Sequence, residues 1–325
     1  MSNTLKTQQT FLQLRDHLEK NIVGQHHLIE RLLVSVLTGG HILLEGLPGL
    51  AKTTAVHALA SGIHATFQHI QFTPDLMPGD LTGSDIYSPN DGAFRFIEGP
   101  LFHEIVLADE INRAPPKVQS ALLEAMQEHK ITVGGVTRDL PDLFLVMATQ
   151  NPLEQSGTYP LPEAQLDRFL LHVVLDYPSP EEELLILQRD RQMHFGEDQL
   201  DENTTPLKPE TVLQARHEVA ETHVEKTLEE YVVKLVGATR HLTNINPEWS
   251  DYLRAGASPR ASISLLRASS AVAYINGRDY VIPEDIVNVA PDCLRHRIIL
   301  SHNARAAGVD ANDIIQKVLS EVVIP

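Results

Sequence analysis

The loop from residue 46 to residue 53 contains the residue types that wrap a chain of phosphates. It follows an apolar run, residues 41–45, and reads Gly-Leu-Pro-Gly-Leu-Ala-Lys-Thr before a helical pattern. Backbone N–H groups of such a loop, with the positive end of the following helix, attract anions. Lys52 can then reach the β- and γ-phosphates, and the Thr53 hydroxyl can ligate Mg²⁺. The sequence therefore predicts a nucleotide-binding loop made of Gly46, Leu47, Pro48, Gly49, Leu50, Ala51, Lys52, Thr53 and Thr54.

One position of this loop departs from the usual pattern, which has glycine where this chain has Ala51. A positive φ would strain an alanine, so we expect a negative φ at this residue. The alternative interpretation of the segment is a glycine-bearing turn that caps an ordinary helix.

Two adjacent carboxylates end the apolar run Ile-Val-Leu-Ala at residues 105–108. Asp109 at the strand tip can hold Mg²⁺ through water, and Glu110 can orient and deprotonate an attacking water. Alone, an Asp-Glu pair after a strand indicates a solvated turn. After a phosphate-binding loop in an alternating α/β pattern, it indicates catalysis.

Polar residues also end the next apolar run, 143–149. Because carboxyl ends of parallel strands meet at one edge of a sheet, Asn151 is expected near the γ-phosphate or the attacking water. The alternative is a strand-terminal turn ahead of Pro152.

Two arginines are candidates for further phosphate contacts. Arg168 either pairs with Asp167 on the surface or reaches a neighbouring subunit's γ-phosphate. Arg260 is the second residue of a helix begun by Ser258 and Pro259, where the macrodipole disfavours a cation unless an anion binds nearby. An exposed arginine that carries this small penalty is the alternative.

The elements that must position these residues follow from the apolar pattern. Five runs, mostly continuous and typical of strands buried on both faces, alternate with helical stretches: 41–45, 66–72, 104–109, 143–149 and 170–175. Helices are predicted at 52–61 and 115–128, and two more precede residue 40. Residues 131–138 predict a hairpin around Gly134-Gly135.

The pattern changes to successive helices after Tyr177, with starts at Ser179, Pro209, Ser258 and Pro283. Residues 196–208 are polar and predict a loop. We therefore predict an α/β domain at 1–177 and an α-helical domain at 178–325.

Composition limits the possible partners. The formal net charge is −17, with 43 acidic and 26 basic residues, which argues against general nucleic-acid binding. A single cysteine, Cys293, suits a reducing compartment. The 16 histidines do not form a pattern with metal-ligand spacing. No leader or membrane-spanning run is apparent, so we expect a cytoplasmic protein without membrane insertion.

Taken together, these motifs resemble the AAA+ ATPases and, more narrowly, the MoxR family. The resemblance extends over nearly the full length and rests on residues 46–53 with Ala before Lys, 108–116, 148–152, 159–169, 258–261 and 290–297.

The resemblance implies a five-stranded parallel core of order 5-1-4-3-2, with a helical lid behind it. ATP and Mg²⁺ would bind between the two domains. Asn151 would be sensor 1, Arg168 the arginine finger and Arg260 the lid's sensor 2. Ile22, Val23 and Gly24 match the segment that lines the adenine pocket. Residues 74–101, which contain Gly79, Gly83 and the Phe94-Arg95-Phe96 run, look like a helix-2 insert, and 131–138 like its pre-sensor-1 hairpin.

The same resemblance implies a homo-oligomer, usually a hexamer, with each site completed by its neighbour. It also implies a von Willebrand factor A domain partner and a chaperone-like role in maturing or activating a client protein.

Three rival interpretations stay open. A DNA-remodelling motor would need basic residues on its hairpins. The only Lys or Arg of residues 131–138 is Arg138, and the only one of residues 74–101 is Arg95. A nucleotide-gated assembly module would not need Glu110. A metal-chelatase subunit shares the fold and the partner type. Arg113 is either an interface contact or a helix-start residue. The acidic residues of the lid are a partner-facing patch or a solvated face.

Overall fold

A computed structural model describes residues 2–47, 49–50, 52–89, 92–152, 157–195 and 206–325. Its α-helices are α1 Ser2–Asn21, α2 His26–Thr38, α3 Lys52–Gly62, α4 Pro78–Thr82, α5 Pro116–Glu128, α6 Glu163–Leu166, α7 Pro180–Phe195, α8 Pro209–Ala220, α9 Lys226–Ala238, α10 Pro259–Ile275, α11 Pro283–Leu294, α12 His302–Ala306 and α13 Ala311–Glu321. Short 3₁₀ turns occupy Pro100–Phe102, Ile111–Arg113, Leu242–Asn244, Pro247–Trp249 and Arg295–Arg297.

The strands are β1 Ile42–Glu45, β2 Phe67–Gln71, β3 Gly83–Ser88, β4 Ala93–Glu98, β5 Ile105–Asp109, β6 Lys130–Val133, β7 Val136–Asp139, β8 Leu145–Gln150, β9 Leu171–Val174, β10 Leu253–Ala255 and β11 Ile299–Leu300. Among the described residues, none of the helices is long and apolar enough to cross a membrane.

The central sheet has the order β2-β5-β8-β1-β9. Numbered along the chain as core strands 1 to 5, this is 5-1-4-3-2, so the predicted order is confirmed. The β1–β8, β2–β5 and β5–β8 pairs are parallel, and their register sets Gln71 opposite Asp109 and Glu45 opposite Gln150. The interiors of the three central strands β1, β5 and β8 are buried, as continuous apolar runs predict, while β2 and β9 at the edges of the sheet are partly exposed. The register therefore gathers the polar strand ends at one edge.

The chain divides into two compact units. One comprises Gln13–Leu161 and Val173–Leu213, and the other comprises Met1–Leu12, Pro162–His172 and Gln214–Pro325. In the second unit α10 packs against α9 and α11, and α11 packs against α13. The predicted helical C-terminal region is confirmed, with one unpredicted addition: β10 and β11 pair as a short antiparallel ladder. The boundary near residue 177 stays a prediction, and residues 196–205 of the predicted loop lie outside the described ranges.

The first unit contains two hairpins. β3 pairs antiparallel with β4, with Gly83 opposite Glu98, and β6 pairs antiparallel with β7. A Cβ atom on Gly83 would collide with the carbonyl oxygen of Ile97, and one on Gly99 would collide with that of Leu81. The base of the β3–β4 hairpin is therefore a close backbone approach that only glycine permits.

Candidate active site

The phosphate-binding loop connects β1 to α3, and Lys52 is the first residue of α3. Its ammonium donates a hydrogen bond to the carbonyl oxygen of Gly46 at 2.8 Å. Partial burial lowers the pKa of Lys52, and the nearby carboxylates of Asp109 and Glu110 oppose that shift. An arriving phosphate would meet a cation that is already placed and only partly hydrated.

Gly49 has φ +85°, and a Cβ atom there would meet open space. Pro48 and Ala51 lie outside the described residues, so the expected negative φ at Ala51 stays a prediction.

A cavity of about 380 Å³ lies over this loop. Its volume is within the range of small-ligand sites. Residues from the loop, α3, the end of β5 and the end of β8 line it: Gly49, Leu50, Lys52, Thr53, Thr54, Asp109, Glu110 and Asn151. The wall combines a lysine and a helix start, which suit phosphate, with a hydroxyl and two carboxylates, which suit a hard cation. The residues present therefore fit a magnesium nucleotide.

Asp109 and Glu110 share one partner, the buried Thr149 of β8. The Thr149 hydroxyl donates to Oδ1 of Asp109 and accepts a hydrogen bond from the Glu110 backbone N–H at 2.9 Å. Nε2 of His69, on β2, lies 3.3 Å from the other Asp109 oxygen. Thr149 therefore orients both acidic residues from the neighbouring strand.

Glu110 adopts a left-handed conformation, with φ 55° and ψ 49°. Such a backbone is uncommon for a residue with a Cβ atom, and strained residues cluster at functional sites. Two donors hold the same oxygen, Oε2: Nε2 of Gln71 at 2.7 Å and Nη1 of Arg113 at 2.9 Å. The carboxylate is thus fixed in direction at the cavity wall.

The remaining predicted residues of this unit lie as follows. Asn151 is buried and lines the cavity. Ile22 is buried, and Gly24 has φ +71° with the Glu182 side chain against it. A Cβ atom on Gly46 would lie 2.9 Å from Cβ of Leu175, so the loop starts in close contact with the chain after β9.

Arg168 and Arg260 both belong to the other unit. Ser258 caps α10, since its hydroxyl oxygen accepts from the Arg260 N–H at 3.2 Å. Nη1 of Arg260 lies 4.0 Å from Oδ2 of Asp167. The Asp167 carboxylate therefore supplies negative charge beside Arg260 at this helix start, and the phosphate contact of Arg260 stays a prediction.

Comparison with known proteins gives two family matches. Residues 41–171 match the ATPase family associated with various cellular activities, AAA, and residues 250–318 match the AAA lid domain. The protein named Chaperone MoxR1 of Mycobacterium tuberculosis is 46% identical over 94% of this chain and 79% of its own length. The chain belongs to the MoxR family of AAA+ ATPases.

Two further matches extend over at least 95% of the chain. The uncharacterized protein YeaC of Bacillus subtilis is 43% identical to this MoxR-family chain, over 95% of this chain and 93% of its own length. A crystal structure of a Cytophaga hutchinsonii protein proposed to be an ATPase is 46% identical, with a TM-score of 0.91, and the match covers 100% of this chain and 97% of that one. The predicted family and fold are confirmed, and this MoxR-family chain is an ATPase that binds nucleotide.

Sequence reasoning missed two residues of this MoxR-family site and left a third undecided. Gln71, at the end of β2, was not singled out, and Thr149 was noted only as part of a polar strand end. Arg113 was ambiguous, and the structure assigns it a contact with Glu110. Their place in the sequence is the signal that could have found them. Gln71 and Thr149 lie at the carboxyl ends of core strands, and Arg113 lies in the turn after one.

Proposed function

We propose that this chain hydrolyses ATP with Mg²⁺ at a site shared between neighbouring subunits of a ring, and that the cycle remodels partner proteins. The observation that carries the proposal is the cavity in which Lys52, Thr53, Asp109, Glu110 and Asn151 meet. These residues supply phosphate-binding groups, ligands for a cation and a general base in one cavity.

The first part of the mechanism is binding. Lys52 and the N–H groups at the start of α3 clamp the β- and γ-phosphates. Thr53 and Asp109 would hold Mg²⁺, which neutralises charge on the phosphate oxygens when bound. Ile22, Val23 and Gly24 are proposed to contact the adenine. The Thr149 hydrogen bond fixes the orientation of the Asp109 carboxylate.

The second part is proton transfer. Glu110 accepts a proton from the attacking water as the water's oxygen bonds to the γ-phosphorus, and the bond to the β–γ bridging oxygen breaks. Gln71 and Arg113 hold Oε2, which leaves Oε1 as the oxygen proposed to face that water. Asn151 would orient the water or the γ-phosphate.

The shared site is proposed from the family. Arg168 would act as an arginine finger on the neighbouring subunit's nucleotide, and Arg260 as sensor 2, in a ring of six. Loss of the γ-phosphate contacts would then release elements that nucleotide holds in place. A von Willebrand factor A domain protein is the partner that family resemblance suggests.

The two hairpins support a protein client rather than a nucleic acid. Apolar side chains of the hairpins are exposed: Ile86, Tyr87, Phe94, Ile97 and Val136. The guanidinium of Arg138 stacks on the ring of Phe96, 3.6 Å from its centroid, which commits it to an internal contact. An apolar surface of this kind suits contact with polypeptide more than with a phosphate backbone.

The test is ATP turnover per subunit with Mg²⁺ across a wide range of protein concentration. We expect turnover to rise from near zero as subunits assemble, because a shared site is incomplete in a monomer. Sizing of the dilute sample accompanies the assay. A monomer with full turnover would contradict the shared site, and an absence of turnover at every concentration would contradict the catalytic assignment.

A further inference from the structure

Side chains of the 3₁₀ turn Arg295–Arg297 form hydrogen bonds with the backbone of residues 167–172. Arg297 donates to the carbonyl oxygens of Phe169 and Leu170 at 2.7 and 3.3 Å. Nε2 of His296 bonds the same Phe169 oxygen at 3.1 Å, and Arg295 donates to the carbonyl oxygen of His172 at 2.5 Å. Three consecutive side chains thus fix the chain on the carboxyl side of Arg168.

The Asp167 carboxylate fixes the chain on the other side. It accepts from Nε of Arg297 at 2.7 Å and from the Ser258 hydroxyl at 3.1 Å. The Arg297 side chain is only 2% exposed, so its charge depends on this partner and on the carbonyl oxygens around it. Nη1 of Arg260 lies 4.0 Å from the same carboxylate. One side chain therefore holds both the segment that carries Arg168 and the start of the helix that carries Arg260.

We propose that Asp167 is a positioning residue that sets the place of the Arg168 side chain, with Arg297 as its anchor. The inference rests on the finger role proposed for Arg168. An arginine that must reach a phosphate on another subunit gains from a rigid base, because a misplacement of about 1 Å costs roughly a hundredfold in rate. Asp167 touches no reacting atom. It acts through the residue that follows it.

The test is a double-mutant cycle on the full-length assembled protein. Asp167→Asn, Arg168→Ala and the double variant are compared with the unmodified chain in single-turnover ATP hydrolysis, with enzyme in excess. We expect Asp167→Asn to lower the rate by about tenfold or more when Arg168 is present. In the Arg168→Ala background, the same change is expected to alter the rate by less than about twofold, because a positioning residue has no effect without the residue it positions.

Asp285→Asn is the matched control. Asp285 is a buried carboxylate of the same unit that pairs with Arg278 at 2.6 Å, away from Arg168 in the sequence. We expect it to lower the thermal midpoint as Asp167→Asn does, with no comparable loss of hydrolysis rate. If Asp167→Asn does not fold, Ser258→Gly replaces it in the cycle. That change removes one Asp167 partner, and glycine is a tolerated helix N-cap.

The outcomes separate the two proposals. Equal losses from Asp167→Asn in both backgrounds, or no loss in either, would overturn the positioning role and leave the finger role intact. An Arg168→Ala variant with unchanged hydrolysis would overturn the finger role itself, and the positioning role with it.

Discussion

Thr149 links the two acidic residues of the site through one hydroxyl. It donates to Asp109 and accepts from the Glu110 backbone N–H, and it is fully enclosed by the sheet. A buried acceptor or donor that loses its partner costs about 1–3 kcal/mol, because water cannot replace that partner. The Thr149 hydroxyl therefore stabilises both the proposed Mg²⁺ ligand Asp109 and the left-handed backbone of Glu110.

Thr149→Val removes this support while keeping the shape of the side chain. We expect the Mg²⁺ concentration for half-maximal turnover to rise and kcat to fall, by about tenfold in combination, since roughly 1.4 kcal/mol corresponds to a factor of ten. Magnesium titrations of steady-state ATP hydrolysis measure both effects.

Thr149→Ser is the matched control, because it keeps the hydroxyl and loses only the methyl group. It should behave nearly as the unmodified chain does. Equal losses in the serine and valine variants would assign the effect to packing, against the role argued for the hydroxyl.

The sequence predicted those residues of the site that stand in local patterns. Asp109 ends a buried strand, Lys52, Glu110 and Asn151 lie in the chain after one, and the structure brings all four to one cavity. Gln71 was not predicted, because its contact with Glu110 depends on which strands are neighbours and on their register. A single side chain at the end of a strand gives no local signal of such a partner.

At the scale of elements, the turn Arg295–Arg297 makes stability depend on pH. His296 is buried, with Arg297 and Arg295 beside it in the sequence. The ring of His172 packs edge-on against it, with 5.7 Å between the two ring centroids. Burial, with a smaller contribution from Arg297 and His172, lowers the pKa of His296 well below 6.5. The fold therefore holds the neutral imidazole, which bonds the carbonyl oxygen of Phe169.

The sign of the effect follows from proton uptake. Below the ordinary pKa of 6.5, the unfolded chain binds a proton at His296 that the folded chain does not. The stabilising contribution is therefore complete above that pH and is lost as pH falls, at up to about 1.4 kcal/mol per pH unit. Urea unfolding at pH 7.5, 6.5 and 5.5, compared between the unmodified chain and His296→Gln, measures the difference.

His302→Gln is the control for this comparison, because His302 is an exposed residue at the start of α12. Its pH profile should match that of the unmodified chain. If His296→Gln shows the same loss of stability between pH 7.5 and 5.5 as the unmodified chain, the source lies elsewhere in the fold.

The elements with continuous apolar runs or clear start signals were predicted well. The five core strands lie within about two residues of the predicted bounds, and Ser258 caps α10 as its sequence indicates. The β10–β11 ladder was missed, because strands of three and two residues give no period to detect. The hydrogen bonds between Arg295–Arg297 and residues 167–172 were missed because the two segments are more than 120 residues apart in the sequence.

At the scale of the whole molecule, a shared site predicts complementation between two inactive variants. Glu110→Gln lacks the proposed base but keeps Arg168, and Arg168→Ala lacks the finger but keeps Glu110. In a ring mixed one to one, a complete site needs an intact Glu110 on one subunit and an intact Arg168 on its neighbour. About one quarter of the sites meet both conditions in a cyclic arrangement with random mixing.

We expect the mixed sample to recover up to about a quarter of the unmodified turnover, while each variant alone loses at least a hundredfold, in line with the usual worth of a general base or arginine finger. Turnover assays on variants that are dissociated, mixed and reassembled make the measurement. The double variant, mixed with the unmodified chain, controls for dilution. No recovery in reassembled mixed rings would place all required groups within one subunit.

The glycine contact at the base of the β3–β4 hairpin makes that hairpin replaceable as a cassette. Gly83 faces Glu98 across the ladder, so the chain enters and leaves at points one strand spacing apart, about 5 Å. A two-residue turn could splice the chain there, and a foreign hairpin could be grafted onto the same neck. A set of such chimeras would share one ATPase site and differ only in the partner that the hairpin binds.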